Sequence, residues 1–305
     1  MASEGRSRHL GLDLGATNVK WAILERNGDE WSVLERAQFL TSASDGADSV
    51  IQRMGDQAER ACDGWPDLST IGIGLPGLFD AATGIATFLP NLPLDWERRP
   101  VIGPMRARLG LSVRLINDAR AFGLAELRLG AGRGCDAMVG LALGTGVGGV
   151  VVVGGEVHFG HDGTGGELGH QTLLPDGPPC TCGNCGCLEA FARADAVAAA
   201  CGTATAEEAV SAALAGDERA IAGLAEIGRW LGIGISNLIV VLTPDRVVLG
   251  GGVSGAGDLL IAPIREEVRR RVHVTDLDAV EIVTAELGIW AGAIGAAVHG
   301  AERAA

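Results

Sequence analysis

Positive charge is scarce in this sequence. Lys20 is the only lysine, arginine supplies the other cations, and 24 basic residues face 38 acidic ones, for a formal net charge of −14. Such a chain repels phosphate backbones, which argues against nucleic acid as a partner. Long apolar runs are missing too. The most apolar stretch, Met138 to Val153, is short of a bilayer span and is broken by five glycines, so it is read as buried strands with no membrane partner. Met1 to Leu10 has no apolar core ahead of a cleavage site, so no secretory signal is expected and the location expected is cytoplasmic. Neither a Walker P-loop nor a Rossmann Gly-x-Gly-x-x-Gly stands in the right setting. Gly144-Thr-Gly-Val-Gly-Gly149 has other glycine spacing and leads into a strand, not a helix. No linker or low-complexity tract divides the chain.

What is present is glycine, apolar residues and a cluster of cysteines. The 305 residues are 47% apolar, enough for two domains that each bury a core. The 47 glycines cluster instead of scattering, which marks turns and places where backbone approaches a ligand. Of seven cysteines, Cys62, Cys135 and Cys201 stand alone and read as small buried hydrophobes. Cys180, Cys182, Cys185 and Cys187 form Cys-x-Cys-x2-Cys-x-Cys shortly after His170, flanked by Glu167 and Glu189. Thiolates and imidazole are the ligands tetrahedral zinc prefers, and a reducing compartment favours metal over disulfide. Four cysteines and one histidine exceed a tetrahedral site, so one is spare, and spacing leaves open which.

A metal here would lock a glycine-rich loop and aim Glu167, His170 and Glu189 at something small and polar. Carboxylates and imidazole bind vicinal hydroxyls in fixed directions. His170 can serve twice, one ring nitrogen on the metal and the other on substrate. The plainer alternative makes His170 a ligand only and leaves both glutamates solvated. His9, His158, His161, His273 and His299 lack such surroundings and read as structural or surface residues.

Two segments look alike. His9 to Leu24 and Met138 to Val153 are each an apolar strand, a glycine turn and a second apolar strand. Such hairpins expose backbone N–H groups and a Thr hydroxyl at the turn. Two copies imply a duplicated α/β domain with a cleft between the copies. Strands expected at 70–75, 112–116, 246–249 and 279–284 alternate with helices at 49–62, 101–109, 119–129, 188–200, 206–215, 217–242, 261–272 and 288–298. The domain boundary is expected near Asp118: a small domain of residues 1–118 plus 289–305, and a large one of 119–288 holding the cysteine loop.

The chemistry-bearing turns fit phosphate. Asp13 could face Mg2+ through water, while Gly15, Thr17 and Asn18 offer backbone and hydroxyl donors. Gly144, Thr145 and Gly146 repeat that offer, and Gly250, Gly251 and Gly252 give bare backbone where a purine or ribose could lie. Asn117-Asp118 stands where a strand ends and a helix begins, the place where α/β sheets bind ligands. Asp118 is either a plain helix N-cap or a general base for a hydroxyl nucleophile.

Together these motifs resemble the ROK family (repressor, open reading frame, kinase) of sugar kinases. The likeness runs nearly end to end, through Asp13-Leu-Gly-Ala-Thr17, Gly72-Ile-Gly-Leu-Pro-Gly77, Pro90-Asn-Leu92, Asn117-Asp-Ala119 with Glu126, Leu143-Gly-Thr-Gly-Val-Gly-Gly149, Gly166-Glu-Leu-Gly-His170, the cysteine motif to Glu189, and Leu249-Gly-Gly-Gly252. It implies a duplicated ribonuclease H-like, actin-like ATPase fold. It implies structural Zn2+ on His170, Cys180, Cys182 and Cys187, with Cys185 spare. It implies Asp118 as the base that deprotonates a sugar hydroxyl for attack on the γ-phosphate of MgATP. Sugar contacts would come from Gly77, Asn91, Asn117, Glu167, His170 and Glu189, nucleotide contacts from the glycine turns, and the assembly would be a homodimer or homotetramer. Two departures stand out. Gly-Ala-Thr replaces the usual Gly-Gly-Thr, and Arg120 replaces the Asn that often follows Asn-Asp-Ala, at a position expected to tune substrate choice.

The leading expectation is therefore a glucose 6-kinase using ATP. Polyphosphate is the alternative donor. A modified hexose or cyclitol (N-acetylmannosamine, N-acetylglucosamine, an amino sugar such as kanosamine, a valiolone-type ring) is the alternative substrate. A sugar-sensing repressor of this family carries a helix-turn-helix segment before the ATPase core. With the first phosphate turn beginning at Asp13, none is expected here.

Overall fold

The computed structural model describes residues 5–89 and 92–302. Its strands are β1 (Arg6–Leu14), β2 (Asn18–Asn27), β3 (Glu30–Leu40), β4 (Leu68–Leu75), β5 (Leu78–Asp80), β6 (Ile85–Phe88), β7 (Arg99–Pro100), β8 (Ser112–Asn117), β9 (Met138–Leu143), β10 (Val147–Val153), β11 (Glu156–Val157), β12 (Arg246–Gly250) and β13 (Glu281–Thr284). The helices are α1 (Ala47–Gly64), α2 (Ile102–Leu109), α3 (Asp118–Leu129), α4 (Leu188–Ala192), α5 (Ala194–Cys201), α6 (Ala206–Leu214), α7 (Glu218–Leu242), α8 (Asp258–Arg271) and α9 (Ala291–Glu302).

The chain divides into two compact units, Met1–Leu129 with Ile289–Ala305, and Gly130–Gly288. The first sheet runs β3-β2-β1-β4-β8 and the second β11-β10-β9-β12-β13. In the first, β1 pairs antiparallel with β2 and parallel with β4, and β4 pairs parallel with β8. In the second, β9 pairs antiparallel with β10 and parallel with β12, and β12 pairs parallel with β13. One strand order is thus used twice. This is the duplicated ribonuclease H-like plan of the actin-like ATPase fold.

Each unit has its own core. Leu10, Leu12, Ile71, Ile73, Val113 and Leu115 fill the first with residues of α1. Val139, Leu141, Val247 and Leu249 fill the second with a stripe from α7. That stripe, Leu224, Ile227, Leu231, Ile235 and Ile239, recurs every three or four residues, as one buried helix face must. Asp217 caps the helix by accepting from the Ala220 N–H at 2.8 Å. By length and composition α7 could cross a membrane, but its apolar face is occupied by α8 and α5.

The closing helix α9 packs on the first sheet without side chains in between. A Cβ on Gly11 would fall on the Ala293 carbonyl, one on Gly72 on that of Ala296, and one on Gly295 on that of Ala121 in α3. Contact this close with α9 holds α3 in the first compact unit, which runs to Leu129.

Candidate functional site

In the first unit β8 delivers Asn117 and Asp118 to the start of α3. Asn117, not Asp118 alone, caps that helix. Its Oδ1 accepts from the N–H groups of Ala119 at 3.0 Å and Arg120 at 3.4 Å, and from Arg120 Nη1 at 2.7 Å. Its amide nitrogen donates to the Gly77 carbonyl at 3.3 Å. The cross-strand register Leu75↔Asn117 brings the two segments together. Asp118 Oδ1 accepts from Ala119 N–H at 2.8 Å. That bond sets the carboxylate at a helix N-terminus, where the backbone dipoles favour negative charge. Arg120 is buried, at 2% exposure, so it supports Asn117 from within.

The first glycine turn joins β1 to β2. Gly15 N–H bonds the Asn18 carbonyl at 3.1 Å, and a Cβ at Gly15 would press on that same oxygen. Thr41 fastens the turn from outside, its hydroxyl donating to Gly15 O at 2.7 Å and its N–H to Thr17 O at 2.9 Å. Thr17 itself is exposed. Asp13 closes β1 beside α9, where Gly292 leaves its carboxylate room. Desolvation pushes the Asp13 pKa above the usual carboxylate range, opposed by Lys20, whose Nζ lies 3.9 Å from Asp13 Oδ2.

The second glycine turn joins β9 to β10. Gly144 N–H bonds Gly146 O at 3.0 Å, and Gly144 O accepts from the Ala194 N–H at 3.0 Å. Thr145 is exposed at its tip. Gly250 ends β12 opposite Ala142. Gly251 follows at φ +86°, and a side chain there would collide with the Leu143 carbonyl, so the Gly250–Gly252 backbone abuts the second turn.

The cysteine loop forms a compact ligand set. His170 Nδ1 and the sulfurs of Cys180, Cys182 and Cys187 lie within 4.8 Å of one another. Cys180 Sγ is 3.6 Å from His170 Nδ1, and Cys182 Sγ is 3.8 Å from Cys187 Sγ. A tetrahedron with Zn–S of about 2.3 Å and Zn–N of about 2.0–2.1 Å requires edges of about 3.8 and 3.5 Å, so the spacing fits. Burial pushes the Cys187 thiol up to about 12 and raises Cys180, while the Asn184 backbone N–H lowers Cys182. A cation bound here would displace the thiol protons, so metal binding at this set would release protons and depend on pH. Cys185 is exposed and outside the cluster. With Nδ1 turned inward, His170 Nε2 lies 4.0 Å from Glu167 Oε2 and both side chains are partly exposed.

The residues singled out from sequence thus fall into two sets. Asp13, Gly15, Thr17, Asn18, Gly77, Asn117 and Asp118 belong to the first unit; Gly144, Thr145, Gly146, Glu167, His170, the cysteines, Glu189 and Gly250–Gly252 belong to the second. Asn91 lies outside the described residues. A cavity of about 260 Å³ between α1 and α2, lined by Ile51, Met105, Pro104 and Arg108 among others, touches none of them. Three participants were not foreseen: Thr41, Lys20 as the partner of Asp13, and Arg193, whose extended backbone (ψ 162°) separates α4 from α5 and frees Ala194 N–H for the second turn. Only Lys20 left a signal, being the sole lysine and paired in register with Asp13.

Residues 9–301 match the ROK family. A glucokinase of Thermotoga maritima is 36% identical over 307 residues, covering 94% of this chain and 95% of its own. The structure of a ROK hexokinase from Thermus thermophilus matches with a TM-score of 0.82 at 34% identity, over 97% of this chain and 99% of that one. A ROK family glucokinase from Streptomyces griseus, solved in complex with glucose and AMPPNP, matches with a TM-score of 0.80 at 29% identity, over 97% and 100%. With a doubled fold, two glycine turns and a family match that spans nearly every residue, this chain belongs to the ROK family.

Proposed function

We propose that this protein is an ATP-dependent glucose kinase that transfers the γ-phosphoryl group to the sugar 6-hydroxyl. The observation that carries the reading is the strand-end carboxylate of Asp118, set on a helix start and braced by Asn117, in a fold whose two central hairpins each end in a bare glycine turn. Phosphoryl transfer has a loose transition state. The base has mainly to orient the hydroxyl and accept its proton late, which an ordinary carboxylate can do. Asp118 would fill that role. Asn117, Gly77 and Asn91, with Glu167, His170 Nε2 and Glu189, would take the remaining hydroxyls. The turns Gly15–Asn18 and Gly144–Gly146 would offer N–H groups and the Thr17 and Thr145 hydroxyls to the phosphates. Asp13 would hold Mg2+ through water, and Gly250–Gly252 would lie along the nucleoside.

The His170, Cys180, Cys182 and Cys187 set would hold one structural Zn2+, whose part is to pin the loop that presents Glu167 and His170 Nε2. Reduced thiolates and MgATP are both cytoplasmic, which is where the enzyme would work, as a homodimer or homotetramer by kinship.

The test is an ADP-release assay over hexoses, amino sugars and cyclitols, with ATP and polyphosphate as donors. Glucose with ATP should give the highest kcat/KM. Asp118→Ala should lower kcat by about 10²–10⁴-fold while calorimetric glucose affinity stays close to wild type. Turnover near wild type in that variant rejects Asp118 as base, and a cyclitol or amino sugar outranking glucose rejects the substrate.

A further inference from the structure

The Glu189 carboxylate is engaged inside its own unit before any sugar arrives. Oε2 accepts from the Val147 N–H at 3.0 Å. Oε1 accepts from the Thr181 hydroxyl at 3.2 Å and lies 3.7 Å from the Cys180 thiol. Val147 is the first residue of β10, directly after the Gly144–Gly146 turn. A Cβ at Gly146 would meet Glu189 Oε2, so a larger residue there would displace that carboxylate. On its other side Val147 is pressed by Gly169, the residue before His170, where a Cβ would fall on the Val147 carbonyl. Two paths therefore lead from the ligand cluster to one residue of the glycine turn: Thr181, set between Cys180 and Cys182, through its hydroxyl to Glu189 and on to the Val147 N–H, and His170 through Gly169 to the Val147 carbonyl.

We propose that Glu189 is a positioning residue that ties the order of the Gly144–Val147 turn to the state of the Cys/His cluster, so that metal governs nucleotide affinity as well as sugar affinity. This rests on the nucleotide and metal assignments of the preceding section. The physical basis is conformational. A turn this rich in glycine loses much chain entropy when ordered. The carboxylate–amide bond at its exit, together with the close backbone contact at Gly169, holds it. Releasing the loop that carries Cys180 and His170 removes both restraints at once.

The experiment is amide hydrogen exchange across 138–190 on the full-length protein, as purified and after chelator stripping, for wild type, E189A and E189Q. It is read beside the affinity for a non-hydrolysable ATP analogue measured without sugar. The hairpin turn at Gly15–Asn18 serves as internal reference. Stripping wild type should raise exchange in Gly144–Gly149 together with the cysteine loop and weaken analogue binding about three- to tenfold. E189A should do the same to Gly144–Gly149 while keeping metal content and protection of 180–187. E189Q retains an acceptor for the Val147 N–H and should keep that protection. Unchanged exchange at Val147 in E189A, or loss of sugar affinity with analogue affinity intact, overturns the proposal and leaves Glu189 a sugar ligand only. Absence of metal from the purified protein overturns the metal assignment and the metal half of the proposal, while E189A still judges the Glu189–Val147 link.

Discussion

Arg120 reaches back along its own helix to donate Nη1 to Asn117 Oδ1 at 2.7 Å, from a position only 2% exposed. The bond fixes which end of the amide faces which way: oxygen to the α3 N-terminus, nitrogen to Gly77 O. A buried guanidinium is held at cost unless it is satisfied, so its presence at this point implies a use. Arg120→Met should lower unfolding free energy by about 1–3 kcal/mol and raise KM for sugar about tenfold, with kcat less affected. Arg120→Lys should recover stability in part but not the amide orientation. Denaturant unfolding beside steady-state kinetics reads both; an R120M enzyme with wild-type KM removes Arg120 from the substrate side of the protein.

The cysteine motif offers a sharper contrast. Cys187 is fully buried within the ligand set, while Cys185, two residues away, is exposed and outside it. Cys187→Ser should lose the bound metal and destabilise the loop, whereas Cys185→Ser should keep about one metal ion per chain and wild-type melting. Elemental analysis of the two purified variants decides the matter. Metal retained in C187S, or lost in C185S, places the ligands elsewhere.

Much of this site was legible because its parts are local. A strand, a glycine turn and a strand read alike at 9–24 and 138–153, and both hairpins are there, β1–β2 and β9–β10, followed in space by the same strand order. The unread parts are those that depend on distant partners. β3 carries Glu30, Glu35 and Arg36 among its apolar residues because it is an edge strand with one face exposed, and its alternation is diluted by charge. The small sheet β5-β6-β7 is built from strands too short for any period to show. The run from Leu188 to Ala200 reads as one helix, having no Gly or Pro, yet it breaks at Arg193 so that Ala194 can serve a turn fifty residues earlier. Glu189 bonds Val147 across 42 positions, a distance at which spacing carries no signal.

Asp13 and Lys20 give a prediction about acid. Desolvation raises the Asp13 pKa and Lys20 restrains that rise. In the proposed role of holding Mg2+ through water the carboxylate would work ionised, so activity should fall as pH drops through its pKa. Removing the restraint in Lys20→Met leaves desolvation unopposed, raises that pKa further, and should move the acid limb of kcat/KM for MgATP to higher pH. Asp13→Asn should abolish the limb along with most of the activity. The pH–rate profiles of wild type and K20M make the comparison, and superimposable acid limbs exclude Asp13 as the group that titrates.

His9 makes the first unit sensitive to acid by another route. Its ring is buried between β1 and β4, with Nδ1 2.8 Å from the Thr70 hydroxyl and Nε2 2.8 Å from Ser7 Oγ. Burial, with Arg26 nearby, lowers its pKa from 6.5 to about 4. In the folded protein the ring stays neutral down to that pH, while in the unfolded chain it takes up a proton near 6.5. Stability is therefore whole above the unfolded value and is lost as pH falls from there toward the folded one. Over that window the loss sums to about 3 kcal/mol. Five of the six tryptophans, Trp21, Trp31, Trp65, Trp96 and Trp290, lie in the first unit, so their fluorescence follows its unfolding. Urea midpoints should drop between pH 7 and pH 5 in wild type at unchanged slope. His9→Gln should be less stable at neutral pH and show a flatter dependence. Equal pH dependence in the two proteins shifts the acid sensitivity to groups other than His9.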